Sequence, residues 1–298
     1  MPWKQLPTTI AGGYGQGNRL DQLNFPYSIC VDDHNEMIYT VDSWNNRIVQ
    51  WNLNRNIGRI VIGGNEQGSR LDQLNQPRDV IIDRENNDLI IADEGNRRVL
   101  RCSVHSNSPA QIIIDDIDCY CLAMHEDGTL YVSDQKKNEV QRWKKGERRG
   151  TIVAGGNGQG NQLNQLNDPS FLFICDDHTL YISDWGNHRV IKWERDAKTG
   201  RIVAGGNGEG YQLTQLSGPQ GVIVDQCGQI YVADGENNRV MQWCEGEKEG
   251  RIVIGGNGHG QEKNQLNRPT GLSFDGEGSL YVADYWNHRI EKLERDFG

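Results

Sequence analysis

Short runs of β-branched and aromatic residues recur along the whole chain, separated by clusters of Gly, Asn, Asp and Gln. Apolar runs of this length, bounded by turn-forming residues, predict β-strands. In one well-formed set, residues 221–225, 230–234, 239–243 and 250–256 predict four successive strands, which we call a, b, c and d. Strand a is apolar at nearly every position, so we expect it to be buried on both faces.

This four-strand set repeats six times, and each strand b ends in Asp. The marker residues are Asp42, Asp93, Asp134, Asp184, Asp234 and Asp284, and successive ones are 51, 41, 50, 50 and 50 residues apart. Four-strand units at this period predict the blades of a β-propeller. A Gly-rich segment such as residues 157–169 occurs at five places and is missing from the short interval, so we interpret it as an insertion between blades.

The two ends of the chain predict how the ring closes. Residues 7–13 match strand d, whereas the chain stops after strand c of the sixth set. We therefore predict an all-β protein, a six-bladed β-propeller of four-stranded antiparallel blades, in which the N-terminal strand completes the last blade. Residues 1–298 would form a single domain.

The b–c segments carry a family resemblance. The runs YISDWGNHRV (residues 181–190) and YVADYWNHRI (residues 281–290) resemble the NHL repeat, and related runs occur in every unit. The third unit departs from the pattern, because Lys137 and Glu139 stand where Asn and Arg are expected. Elsewhere the Asp of strand b and the Arg five residues later predict a charge-assisted hydrogen bond across the b–c turn.

Charge and composition narrow the classes of partner. The net charge of −10 makes a nucleic-acid partner unlikely, because phosphate contacts require basic surface. One basic cluster, residues 135–150, is interpreted as a solvated hairpin. The seven cysteines have no metal-binding spacing and are expected to be reduced thiols. No membrane span or signal peptide is recognised, which slightly favours the cytoplasm while leaving the compartment open.

Candidate binding residues lie on the face where d–a loops and b–c turns emerge together. Aromatic residues in the b–c turns suit contact with a peptide, glycan or small molecule, although each ring could instead cover an adjacent Gly-rich loop. Residues at the start of strand a would line the channel mouth, where they could bind a polar ligand or be hydrated lining. The candidates are Trp44, Trp185, Tyr285 and Trp286 in the turns, and Arg78, Asp79, Tyr120 and Gln220 at the mouth.

The resemblance also implies an enzymatic alternative. Lyases with NHL repeats and lactonase-like propellers hold a metal near the axis, at the start of strand a. The matching positions here supply one carboxylate, Asp79, and no histidine, and the seven histidines of the chain show no catalytic or zinc motif. We therefore expect no metal and no cofactor. The leading hypothesis is a monomeric, non-enzymatic binding or scaffold propeller with a protein, peptide or glycan partner. A metal-dependent lyase or lactonase, and RNA binding as in TRIM-NHL propellers, are the alternatives.

Overall fold

The chain forms a ring of six four-stranded antiparallel sheets, as the sequence predicts. The computed structural model describes residues 3–4, 6–52, 57–105 and 108–296. Both ends of the predicted domain, residues 1–2 and 297–298, lie outside the described residues. No helix within the described ranges is long and apolar enough to cross a bilayer.

The strands follow one another in blade order. Blade 1 contains β2 (Pro26–Asp32), β3 (Met37–Asp42), β4 (Arg47–Asn52) and β5 (Arg59–Gly63). Blade 2 contains β6 (Asp79–Asp83), β7 (Asp88–Asp93), β8 (Arg98–Ser103) and β9 (Gln111–Asp115). Blade 3 contains β10 (Cys119–Met124), β11 (Leu130–Asp134), β12 (Glu139–Trp143) and β13 (Thr151–Gly155). Blade 4 contains β14 (Pro169–Ile174), β15 (Leu180–Asp184), β16 (Arg189–Trp193) and β17 (Arg201–Gly205). Blade 5 contains β18 (Pro219–Val224), β19 (Ile230–Asp234), β20 (Arg239–Trp243) and β21 (Arg251–Gly255). Blade 6 contains β22 (Pro269–Phe274), β23 (Leu280–Asp284), β24 (Arg289–Leu293) and, from the N-terminus, β1 (Thr8–Gly12).

The closure of the ring is confirmed by the pairing of β1 with β24. Thr8 lies opposite Lys292, and Gly12 lies opposite Arg289 in an antiparallel register with one bulge. The two ends of the chain are thereby joined within one sheet, and the last blade has its outer strand.

Strands b and c begin and end where the sequence predicts, whereas strand a begins earlier. In blade 5 the predicted strand a spans residues 221–225, but β18 runs from Pro219 to Val224. Pro219 is the first residue of the strand, a position where the lack of an N–H removes no hydrogen bond from the sheet. A bulge follows it, and the remainder of the strand is almost entirely buried, as expected.

Five b–c turns contain a single 3-10 turn each: Ser43–Asn45, Glu94–Asn96, Trp185–Asn187, Gly235–Asn237 and Tyr285–Asn287. We call the face that carries the b–c turns and d–a loops the upper face. The a–b and c–d turns form the lower face. An asparagine in each 3-10 turn reaches the preceding d–a loop; Asn187 Nδ2, for example, donates to Gly160 O at 2.9 Å.

The repeated Asp–Arg pair is formed and buried, and it also holds the Gly-rich loop. Arg189 Nε donates to Asp184 Oδ2 at 2.7 Å, and both side chains are almost completely buried. The remaining guanidinium nitrogens donate to the loop carbonyls of residues 161, 162 and 165 at 2.8–3.1 Å. Equivalent contacts surround Arg47, Arg98, Arg239 and Arg289. Burial raises the pKa of the Asp184 carboxyl, and the adjacent Arg189 opposes that rise.

The Gly-rich loops are ordered by contacts within themselves. Gln165 Nε2 donates to Asn157 O at 3.0 Å across the loop. Gly160 lies directly against the Gln165 amide, so a β-carbon at this position would overlap it. Of the two leucines in this loop, Leu166 is fully buried, whereas Leu163 is 46% exposed. The Leu163 carbonyl accepts from Gly200 N while its side chain faces outward.

A second repeated contact joins neighbouring blades at five of the six boundaries. The residue before the first proline of a blade donates its N–H to the last residue of the previous b–c turn. Phe25 N donates to His288 Nδ1 at 3.1 Å, and Gly218 N donates to His188 Nδ1 at 3.2 Å. An Asn side chain accepts the same bond elsewhere, as when Arg268 N donates to Asn238 Oδ1 at 2.9 Å. The histidines in this slot therefore serve the repeat.

Blade 3 lacks both the Gly-rich loop before it and the arginine that would hold it. Glu139 stands in the arginine position, and Asp134 Oδ2 makes no hydrogen bond among the described residues. Lys137 Nζ is 3.3 Å from that oxygen, and its side chain is half exposed. The departure noted in the sequence thus changes the internal bonding of one blade and leaves its strand order intact.

We predict that Arg189→Leu lowers the free energy of unfolding by about 3–5 kcal/mol, because Asp184 would remain buried without its cation. Urea denaturation measures the change. Arg201→Leu is the matched control, since Arg201 pairs with Glu245 where both side chains are about half exposed. That substitution should cost less than about 1 kcal/mol. Equal losses in the two variants would contradict the role given to the buried pair.

The slot occupied by His288 predicts a pH dependence. Burial lowers the pKa of His288 below its ordinary value, so the unfolded chain binds this proton more tightly. The free energy of unfolding should therefore fall as the pH drops through the unfolded pKa of about 6.5. The fall should stay well under the one-proton limit of about 1.4 kcal/mol per pH unit, because the ring is half-buried.

His288→Asn places in blade 6 the residue that blades 1, 3 and 5 use in this slot, and it cannot titrate. Urea unfolding of both proteins at about pH 7.5 and about pH 5.5 isolates the His288 contribution. A stability difference between the two proteins that is the same at both pH values would refute it.

Candidate functional site

Four aromatic side chains form a cluster on the upper face where blade 6 meets blade 1. We call Phe25, Trp44, Tyr285 and Trp286 the seam cluster. The Phe25 ring lies at its centre, with its centroid 5.0 Å from that of Trp44 and 4.9 Å from that of Tyr285. An edge-to-face contact at 5.1 Å joins Phe25 to Trp286. The structure therefore brings together three of the four aromatic residues predicted from the b–c turns.

The seam cluster holds two indoles at the surface on a buried base. Trp44 is 59% exposed and Trp286 is 47% exposed, whereas Phe25 is buried. Trp44 Nε1 donates to Tyr285 Oη at 3.3 Å, so the polar edge of this indole is used within the cluster. What Trp44 offers to a partner is mainly its ring face.

Phe25 was missed from the sequence, although a signal for it was present. The residue before the first proline of a blade has a positive φ of 47–58° after every long d–a loop. The residues at this position are Phe25, Gln76, Asp168, Gly218 and Arg268. A bulky apolar side chain is unfavourable in this backbone region. An aromatic at a position otherwise held by Gly or polar residues was therefore the exception to look for.

The upper end of the channel is closed by side chains from four strands. We call Tyr27, Tyr120, Phe171 and Gln220 the axial plug; all four are buried. The hydroxyls of Tyr27 and Tyr120 are hydrogen-bonded, and Tyr27 Oη also donates to Gln220 Oε1 at 3.1 Å. Phe171 stacks on Tyr27 at a centroid distance of 5.8 Å. The predicted mouth residues Tyr120 and Gln220 are therefore both hydrogen-bonded to Tyr27 across the axis.

Arg78 is the mouth residue that remains accessible. Its guanidinium carbon lies 4.7 Å from the centroid of Tyr27 and 5.4 Å from that of Tyr120. About a quarter of its side chain is exposed, and Nε is 3.7 Å from Glu94 Oε2. Burial raises the pKa of the Tyr27 phenol, and the adjacent Arg78 charge opposes that rise. Tyr27 also contacts Tyr285 edge-to-face at 5.6 Å, so the buried Tyr27 ring lies between Arg78 and the seam cluster.

Asp79 lies below the plug and is used internally. Its Oδ1 accepts from Ser28 Oγ at 2.6 Å, and its Oδ2 accepts from Leu122 N at 2.7 Å. Burial raises the pKa of this carboxyl. The bonds tie the first strands of blades 1, 2 and 3 together around the axis, so Asp79 acts as a joint between blades.

Trp185 lies apart from the seam cluster, with blade 5 between its own blade and blade 6. Its indole is half-buried and packs over Gly218, where a β-carbon would be 2.9 Å from Trp185 Nε1. Trp185 therefore covers an adjacent d–a loop, which is the alternative role expected for an aromatic residue of a b–c turn.

Below the plug the channel widens into a cavity of about 660 Å³ that opens on the lower face. Its wall is largely apolar, with Arg84 and Arg295 near the a–b turns; representative lining residues are Cys30, Ile82, Met124, Phe173, Val224 and Phe274. Burial raises the pKa of the Cys30 thiol to about 12, so this group stays protonated at neutral pH. All seven cysteines are free thiols.

The basic cluster of residues 135–150 is divided between the two faces by strand β12. Lys136 lies in the b–c turn on the upper face, where its Nζ is 2.7 Å from Asp118 Oδ1. Lys145 lies in the c–d turn on the lower face, with its Nζ 3.6 Å from Glu85 Oε2. The cluster is therefore split between the two faces, and only its b–c turn residues lie on the same face as Arg78.

Two histidines of the lower face lie side by side. His125 and His178, from the a–b turns of blades 3 and 4, stack at 3.7 Å between ring centroids. Asp127 lies next to both rings. No spacing motif marks this cluster in the sequence, because its members come from different blades.

Comparison with known proteins agrees with the fold. The NHL repeat model matches residues 216–243 and 266–293. No match is found among curated proteins. A protein of unknown function from Bacteroides thetaiotaomicron has a TM-score of 0.78 at 18% identity, covering 98% of this chain and 76% of that chain. An auxiliary nutrient binding protein from the same organism has a TM-score of 0.75 at 17% identity, with the same two coverages.

A catalytically inactive virginiamycin B lyase from Staphylococcus aureus, in a structure with quinupristin, has a TM-score of 0.61 at 14% identity. The match covers 99% of this chain and all of that chain. At these identities the likeness is one of fold. The two matched repeats lie in blades 5 and 6, so this chain is a six-bladed β-propeller that contains NHL repeats in those blades.

Proposed function

We propose that this chain is a non-catalytic binding propeller whose upper face takes a protein, peptide or glycan partner on the seam cluster. The observation that carries the proposal is the pair of half-exposed indoles, Trp44 and Trp286, held on the buried Phe25 ring. Rigid aromatic side chains with little conformational entropy to lose are the usual anchors of binding surfaces.

The size of the surface supports an energetic role. Roughly half of each indole, about 100 Å², remains to be covered, which at ~25 cal/mol/Å² corresponds to about 2–3 kcal/mol per ring. That is the magnitude expected of binding hot spots. Arg78 lies at the inner end of the same surface and can donate to a carboxylate, carbonyl or hydroxyl of the partner.

The presence of a phenylalanine at position 25, where φ is positive, also supports binding. Its φ of 54° favours Gly or Asn, and the other loops have Gln, Asp, Gly or Arg there. The fold by itself would accept any of those residues. An aromatic ring at this unfavourable position instead supports the two exposed indoles, and backbone strain of this kind concentrates at functional sites.

Solved structures of the same fold include both a binding protein and a lyase, and this chain's own residues support the binding role. The auxiliary nutrient binding protein is consistent with a binding role for this architecture. A lyase or lactonase would need a ring of metal ligands at the axis. Among the described residues, the first positions of strands a supply one carboxylate, Asp79, and both of its oxygens accept internal hydrogen bonds. That donor set does not fit the enzymatic alternative.

We predict that a double variant, Trp44→Ala with Trp286→Ala, weakens partner binding at least about 100-fold, because two hot-spot rings are removed. A glycan array and a displayed peptide library, each probed with the purified chain, supply the ligands and separate the two classes. Affinities for the ligands found are then measured by calorimetry with the parent chain and the double variant.

Tyr211→Ala is the matched control, since Tyr211 is an exposed aromatic of a d–a loop on the same face at 79% exposure. It should change affinity by no more than about threefold. Ligands that bind the double variant as tightly as the parent, or that lose as much affinity in the Tyr211 variant, would refute the seam cluster as the binding site.

A further inference from the structure

The stacked histidines on the lower face form a compact group with one carboxylate. The rings of His125 and His178 are 3.7 Å apart with an interplanar angle of 24°. Asp127 Oδ1 is 2.9 Å from His125 Nδ1, and Asp127 Oδ2 is 3.6 Å from His178 Nε2. The three candidate ligand atoms lie within 4.8 Å of one another. Both rings are largely buried while Asp127 is half exposed, so an ion can enter from solvent.

The backbone at His178 indicates that this side chain is kept for a purpose other than the turn. Its φ is 64°, and the same turn position is held by Gly128, Gly228 and Gly278 with φ of 76–80° in blades 3, 5 and 6. A side chain is disfavoured in this region, and Gly is the ordinary occupant. Blade 4 therefore places an imidazole where its own turn geometry favours none.

Hydrogen bonds behind the rings fix which nitrogens face the carboxylate. The carbonyl of Asp176 can only accept, so His125 Nε2, at 2.9 Å from it, carries a hydrogen. His125 Nδ1 is thereby directed at Asp127 and also receives the Asp127 N–H at 3.2 Å. A metal ion bound by the Nδ1 lone pair would replace the Asp127 N–H as its partner, close to the Asp127 carboxylate.

The second ring is supported in the same way. Tyr131 Oη is 2.8 Å from His178 Nδ1, which leaves His178 Nε2 on the side of Asp127. A carbonyl behind one ring and a hydroxyl behind the other are the kinds of partner that orient metal-ligating histidines.

We propose that His125 Nδ1, His178 Nε2 and the Asp127 carboxylate bind one divalent transition-metal ion, Zn²⁺ by donor preference, which links blades 3 and 4. Imidazole and carboxylate are ligands that zinc accepts, and tetrahedral ligand atoms lie roughly 3.3 Å apart. The ligand atoms are close enough to reach that geometry by side-chain rotation. Water completes the coordination through the exposed side of Asp127.

The test titrates the full chain, stripped of metal by a chelator, with Zn²⁺ in a calorimeter, and repeats the titration with Co²⁺ while recording visible absorption. One equivalent per chain is expected, with cobalt bands typical of nitrogen and oxygen ligands. Zn²⁺ at about a hundred times its dissociation constant should raise Tm by about 5 °C.

The decisive variant is His178→Gly, since Gly is the residue that three other blades hold at this position. It should fold with an unchanged or higher Tm without metal, lose Zn²⁺ affinity at least about 100-fold and lose the cobalt bands. His34→Ala, which removes an exposed histidine of the blade 1 a–b turn, should change neither.

Two results would overturn the proposal. One is parent-like Zn²⁺ affinity in His178→Gly, which would mean adventitious binding elsewhere. The other is no saturable Zn²⁺ binding by the parent chain, which would mean that His125 Nδ1 keeps the Asp127 N–H as its partner. Neither result bears on the upper-face function, because the Zn²⁺ titrations and the histidine variants do not involve the seam cluster.

Discussion

The buried Asp–Arg pair of the regular blades is the interaction on which the rest of the ring depends. A guanidinium has five N–H donors, and one carboxylate cannot satisfy them all. The Gly-rich loop supplies the remaining acceptors as backbone carbonyls, three of them to Arg189 alone. Without those carbonyls a buried guanidinium would be strongly destabilising. Loop and arginine should therefore be gained or lost together, and blade 3, which has a connection of residues 116–118 and Glu139 in the arginine position, lacks both. The Gly-rich loops therefore supply the hydrogen bonds that the buried guanidinium would otherwise make with water.

Against that regular background, the informative residues are those that break the repeat at backbone positions with positive φ. Phe25 and His178 both occupy positions where other blades place Gly or, before the proline, polar residues. The side chains at both positions contact an aromatic ring of a neighbouring blade. In a repeat protein, residues that match the repeat stabilise the scaffold. Residues that depart from the repeat at strained backbone positions indicate a function that the scaffold itself does not require.

The architecture could be predicted because its determinants are local and repeated. The marker aspartates gave the blade count, and the displaced strand d gave the closure, since both are matters of spacing along the chain. The axis could not be predicted in the same way. Tyr27 and Tyr120 occupy the same position in their own repeats, but their hydroxyl contact spans the channel and depends on the ring's diameter. The pairing of His125 with His178 likewise depends on which turns of adjacent blades meet, and spacing within one blade carries no information about it. The sequence places Tyr120 and Gln220 at the channel mouth, where we expected them to be accessible. In the structure both side chains are buried.

The axial plug also separates the two faces physically. Tyr27, Tyr120 and Phe171 pack against one another from three blades, and the cavity below them reaches the a–b turns of the lower face. Coupling between distant sites requires an element with two arrangements that both sites bias. Here the intervening strands a are paired within their blades and joined across the axis through Asp79, which accepts from blades 1 and 3 at once. A closed ring with such joints resists relative motion of its blades. Metal binding between blades 3 and 4 would then stabilise the scaffold without changing the affinity of the seam cluster between blades 6 and 1, and the two faces would act as independent sites on one rigid frame.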